Sequence, residues 1–173
     1  MTELRYESAP FAVRGDLTAA HRRAWRRLAC PGTWLTGEQR VAIAAETRKA
    51  KSCSLCRRRK AAVSPLAIKG EHDTLSALSK PVVDVIHRIA TDPGRLTQSW
   101  YHQIIASGIS DSAYVEIVSV VATVVLLDTF ARGLGIPAPA LPHPIDGEPS
   151  LERPASAKLD VAWVPMIGVE GPE

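Results

Sequence analysis

The stretch from Ser110 to Pro137 constrains the fold more than any other part of this chain. Ser110-Asp111-Ser112 is a helix-start signal, Gly133, Gly135 and Pro137 are stop signals, and about twenty residues between them hold no turn former. Val118, Val120, Val121, Val124 and Val125 are β-branched and by propensity favour a buried strand. Length argues the other way, because buried strands run to roughly 4–8 residues and helices exceed about ten. The expectation is a long buried helix reaching Arg132, and with it an all-α architecture. Its most apolar run, Ile117 to Leu127, includes Ser119 and Thr123 and is short for a bilayer span.

Shorter helices are expected before it. Leu17, Ala20, Ala24 and Leu28 keep helical spacing, with Arg22, Arg23, Arg26 and Arg27 between them, and Cys30-Pro31-Gly32 ends the run. Thr36-Gly37-Glu38-Gln39 matches a capping box and opens a helix from about Gly37 to Lys51. A short third helix begins at Cys53, with Ser52 as its cap, and ends near Ala62. A loop follows from Pro65 to Lys80, with a turn of helix around Leu75 to Leu78. Ser79 and Pro81 start the next helix, which buries Val82, Val83, Val85, Ile86 and Ile89 and stops at Asp92-Pro93-Gly94. Another runs from about Leu96 to Ala106.

Beyond Ile136, Pro137, Pro139, Pro142, Pro144, Pro149 and Pro154 forbid regular structure. The later cluster Val161, Trp163, Val164, Met166 and Ile167 reads as an apolar anchor for the body or a neighbouring subunit. The expected organisation is an extended lead-in over 1–16, a single helical domain over 17–136 and a Pro-rich tail over 137–173.

A net charge of +3 is too small to imply nucleic acid, and three cysteines are too few for a secreted disulfide framework. Glu3, Arg5, Glu7, Arg14 and Asp16 leave no apolar core of signal-peptide length in the first twenty residues. A cytoplasmic protein without a membrane or nucleic-acid partner is expected. In that reducing compartment a CxxC pair is catalytic or metal-binding rather than structural.

The pair is Cys53-Ser54-Leu55-Cys56, followed by Arg57, Arg58, Arg59 and Lys60. A helix start and nearby cations both favour thiolate, the reactive form in disulfide exchange and in attack on peroxides. Lys60 lies one turn beyond Cys56 and can stabilise that anion, although an ammonium is a poor proton acceptor. Glu46, seven residues before Cys53, either shares the motif's face or is an exposed partner of Lys49. Glu116 could approach the motif across the bundle. His87 and His102 are relay candidates, with a core or surface histidine as the plainer alternative for each. A structural zinc site needs four ligands, and no second CxxC or paired histidine motif accompanies the first. Haem attachment needs histidine where Arg57 stands. Arg57 to Lys60 lacks interleaved aromatics and reads as a solvated helix face. Cys30 reads as a small apolar residue, and Trp25, Trp34, Trp100 and Trp163 as packing groups.

The chain resembles the alkylhydroperoxidase D-like family of the carboxymuconolactone decarboxylase-like superfamily, in its alkylhydroperoxidase-related (seleno)protein branch. The likeness is carried by Ala42-Ile43-Ala44-Ala45-Glu46, Cys53-Ser54-Leu55-Cys56, Ala106-Ser107-Gly108-Ile109-Ser110-Asp111, and Glu116-Ile117-Val118 leading to Asp128, Phe130 and Arg132. It spans about Leu17 to Pro142. It implies a helical bundle that reduces hydroperoxides or disulfides, with Cys56 peroxidatic and Cys53 resolving. It also implies homo-oligomers, an external dithiol or disulfide reductase, and no organic cofactor or metal. The family places histidine four residues after the second cysteine and glutamate about a dozen before the first; here Lys60 and Val41 occupy those places. The alternatives are a non-catalytic oligomeric binding protein of the same fold, and a metal-binding or nucleic-acid-binding module.

Overall fold

Thr36 and Gln39 form the reciprocal capping pair that their spacing predicts. Gln39 N–H donates to Thr36 Oγ1 at 3.2 Å, and Thr36 N–H donates to Gln39 Oε1 at 2.9 Å. In this computed structural model, which describes residues 4–167, they open the second of six α-helices. These are α1 (Gly15–Ala29), α2 (Gly37–Ala50), α3 (Ser54–Ala61), α4 (Lys80–Thr91), α5 (Gln98–Ala106) and α6 (Asp111–Gly133). Single 3₁₀ turns lie at Pro65–Ala67 and Pro93–Arg95. The described residues contain no strand, only an isolated antiparallel bridge between Lys158 and Met166. The protein is all-α.

The valine-rich segment is helical throughout α6. Ser110 Oγ accepts the Ala113 N–H at 3.1 Å at its start, and Gly135 at φ +71 lets Ile136 N–H reach back to the Ala131 carbonyl at 3.1 Å. Backbone bonding within the helix satisfies every interior amide, which outweighs the β preference of isolated valines. Helices α2, α4 and α6 pack on one another, and α1 covers α2 and α6. Ile43, Ala44, Val85, Ile86, Ile117, Val120, Val121, Val124 and Leu127 fill the space between them. With a mean hydropathy of 1.8, α6 is long and apolar enough to cross a membrane by length and composition. Here 44% of that apolar window is buried by its neighbours.

Four local expectations differ from the structure. Cys53, not Ser52, is the N-cap of α3; Ser52 Oγ instead donates to the Lys49 carbonyl at 3.0 Å, finishing α2. Leu75 to Leu78 form no helix, and Ser76 takes φ +63 in an irregular loop. Helix α5 starts two residues late, at Gln98, because Thr97 supplies the capping oxygen. The late apolar cluster is only partly an anchor. Val164 packs on the core and Trp163 approaches Tyr101 at 6.3 Å, but Val161 is 88% exposed. The rest of the tail is held by backbone bonds, Ile145 N–H donating to Ala29 O, Ser150 N–H to Gly32 O and Leu151 N–H to Thr33 O, and by the Arg153 ion pair with Asp111.

Candidate functional site

Where α2 ends at Ala50, three residues turn the chain and α3 begins, which places both thiols inside the protein. Cys53 is fully buried and Cys56 is 5% exposed; both are free thiols. The N-terminus of α3 is capped from outside by Asp73, whose Oδ2 accepts the Ser54 N–H at 2.7 Å. At the other end Arg95 donates to the carbonyls of Arg59, Lys60 and Ala62 at 3.2, 2.9 and 2.7 Å.

Two imidazoles meet the sulfurs. His72 Nδ1 lies 3.5 Å from Cys53 Sγ and 3.5 Å from Cys56 Sγ, and His87 Nδ1 lies 3.3 Å from Cys56 Sγ. Each ring turns its far nitrogen to a carboxylate. His87 Nε2 is 2.8 Å from Glu46 Oε1, and His72 Nε2 is 2.9 Å from Asp84 Oδ1. The carboxylates are fixed in turn: Glu46 Oε2 accepts the Leu75 N–H at 3.0 Å, and Asp84 accepts from Arg59 at 3.0 Å and from the Trp100 indole at 2.8 Å. Among the described residues the pattern is therefore duplicated: carboxylate, imidazole, thiol.

Burial and charge set the protonation of these groups. Burial alone would push the His72 imidazole down, but its bonds to Asp84 and to both thiols outweigh this and raise it to about 10. Burial would raise the Asp84 carboxyl; donation from His72, Trp100 and Arg59 instead holds it well below the usual carboxylate range. For His87 burial prevails over the pull of Glu46, so its imidazole is shifted down and stays neutral at pH 7. Burial pushes the Cys53 thiol up, yet the Cys56 amide, His72 and the Asp73 amide together bring it below the usual thiol range.

The sequence-derived residues are distributed unevenly around this centre. Cys53, Cys56, His87 and Glu46 come together, and Glu46 is neither exposed nor paired with Lys49 but 1% exposed against His87. Lys60 is exposed on α3, and neither sulfur takes a hydrogen bond from it; only its carbonyl takes part in the surroundings, with Arg95. Glu116 does not reach the motif: it pairs with Arg40 and accepts the Trp34 N–H at 2.6 Å. His102 is exposed beside Tyr101. Sequence reasoning missed His72 and Asp84. His72 lies in a polar loop sixteen positions from Cys56, where no periodicity marks it.

A groove of about 1120 Å³ lies elsewhere, lined by Arg27, Gly32, Trp34, Glu116, Ser119 and Thr123. It holds neither member of the thiol pair, and size alone does not outweigh the chemistry concentrated at Cys53 and Cys56. Set against known protein families, curated proteins and solved structures, the chain matches none.

Proposed function

We propose that this chain is a thiol-dependent peroxidase or disulfide oxidoreductase that cycles Cys53 and Cys56 between dithiol and disulfide. One observation carries the reading. Cys56 Sγ is within reach of both imidazoles, and the nearer, neutral one is oriented by a buried carboxylate. A thiol, a neutral base and a third group that fixes the base make up an activated nucleophile.

In the first step His87 Nδ1 takes the Cys56 proton, and the thiolate attacks the terminal oxygen of a hydroperoxide. The O–O bond breaks, Cys56 becomes a sulfenic acid, and the leaving alkoxide recovers a proton to depart as the alcohol. The Cys53 thiolate, held beside the His72 imidazolium, then attacks the Cys56 sulfur. The S–O bond breaks, the departing hydroxide takes the proton of the His72 imidazolium and leaves as water, and the disulfide closes. An external dithiol or a disulfide reductase returns two electrons by exchange. The greater exposure of Cys56 agrees with its meeting the peroxide first.

The histidine role assigned by resemblance to the position of Lys60 falls, on this reading, to His87, with Glu46 as its orienting carboxylate. The family likeness, a cytoplasmic setting and a homo-oligomeric assembly belong to the same proposal. Counting free thiols before and after one equivalent of cumene hydroperoxide tests it. The expected result is loss of about two thiols per chain, in line with one disulfide. Unchanged peroxide consumption by Cys56→Ser would sink it.

A further inference from the structure

We propose that Cys53, Cys56, His72 and His87 form a four-coordinate Zn²⁺ site in the thiol-reduced protein. Their four donor atoms lie within 4.8 Å of one another. The sulfur-to-nitrogen separations of 3.3 and 3.5 Å match the edges of roughly 3.5 Å set by zinc at about 2.3 Å from sulfur and about 2.0 Å from nitrogen. No zinc-finger spacing announces the site, because the third and fourth donors come from a loop and from α4 rather than from a second short motif.

The surroundings are those of a metal site as much as its donors are. Both histidines present Nδ1 to the centre and commit Nε2 to a carboxylate, Asp84 for one and Glu46 for the other. With Nε2–H donating outward, the Nδ1 lone pair is left for the ion, the arrangement that orients metal-bound imidazoles. Two thiolates neutralise a divalent ion, so the filled site adds no net charge to a place where Cys53 and His87 are fully buried. Zinc ligands bind in deprotonated form, so filling the site would release protons. Two sulfurs and two imidazoles select zinc over magnesium or calcium, which need oxygen. The metal requires both sulfurs as thiolates, whereas turnover passes through a disulfide; the two proposals describe different states of the same pair.

Titration of the reduced, chelator-treated full-length protein with Co²⁺ alone tests the site. The expected spectrum has intense visible bands of four-coordinate cobalt and a near-ultraviolet thiolate charge-transfer band. These should saturate near one ion per chain and be abolished by Zn²⁺. Only the weak spectrum of hydrated cobalt would overturn the proposal. Cys56→Ser removes one of the two thiolate donors and should lower the charge-transfer intensity and weaken binding. Should that variant fail to fold, Asp84→Asn keeps all four donors and is expected to weaken Zn²⁺ binding about 10–100-fold; unchanged affinity in Asp84→Asn counts against the site. Peroxide-driven thiol loss in metal-free protein is scored separately. Turnover without metal binding removes the zinc site alone, and metal binding without turnover removes the peroxidase reading alone.

Discussion

Glu46 and His87 are joined by a 2.8 Å hydrogen bond across forty-one positions of sequence, with both side chains sealed from solvent. The bond fixes the ring whose other nitrogen faces Cys56. Glu46→Ala leaves the buried His87 Nε2–H without its acceptor and should cost about 1–3 kcal/mol in chemical denaturation. Glu46→Gln keeps one acceptor oxygen, for His87, but turns an NH2 donor toward the Leu75 N–H, and should recover only part of that stability. Peroxide-driven thiol oxidation in Glu46→Gln should still be roughly 100-fold slower, because the carboxylate charge supporting the imidazolium is gone.

Lys60 and His87 make opposite predictions. Lys60→Ala removes an exposed ammonium and should leave the oxidation rate of the pair within about twofold, since surface charges act weakly through solvent. His87→Gln removes the neutral base and should slow oxidation by roughly 10²–10⁴-fold. Stopped-flow measurement of thiol loss separates the two; a large defect in Lys60→Ala would return the relay to the position expected from resemblance.

How much of this was legible follows from where each signal resides. Helix α6 was readable because its cap, length and stop lie in one continuous segment. The Thr36–Gln39 box was readable for the same reason, and so was the thiol pair. Glu46 and His87 could each be named, but their contact depends on how α2 meets α4, which no local pattern encodes. His72 is harder still. It is placed by a loop whose shape comes from Asp73 capping α3 and Glu46 accepting the Leu75 amide. Glu116 was misdirected because Arg40 and the Trp34 amide, both remote in sequence, claim its carboxylate.

Gly37 supports a packing prediction away from the thiols. A Cβ there would collide with the backbone carbonyls of Ala29 and Ile145, neither of which is a flexible side chain. Gly37→Ala should therefore destabilise the protein by about 1–3 kcal/mol. It should also loosen the tail near Ile145, seen as faster hydrogen exchange of the Ile145 amide, which now donates to Ala29.

His21 gives a pH dependence independent of the thiol site. Its Nδ1 lies 2.8 Å from the Tyr6 hydroxyl, its ring packs edge-on to Phe130 at 4.7 Å, and burial shifts the imidazole below its usual range. A histidine with a lowered folded value binds its proton more tightly once released. Docking of the N-terminal lead-in should thus be complete above about pH 6.5 and weaken as the pH falls below it. Limited proteolysis between residues 6 and 14 should accelerate from pH 7.5 to pH 5.5, and His21→Gln should flatten that difference.

Helix α3 is gripped at both ends, by Asp73 on its first amide and by Arg95 on two of its last carbonyls and that of its C-cap, Ala62. A rod pinned in this way moves as one piece. Asp73 is the chain neighbour of His72, so the clamp on the first turn and the imidazole facing both sulfurs belong to one held segment. Closing the disulfide then calls for rotation of the two cysteine side chains, with the helix and the ring beside them held in place.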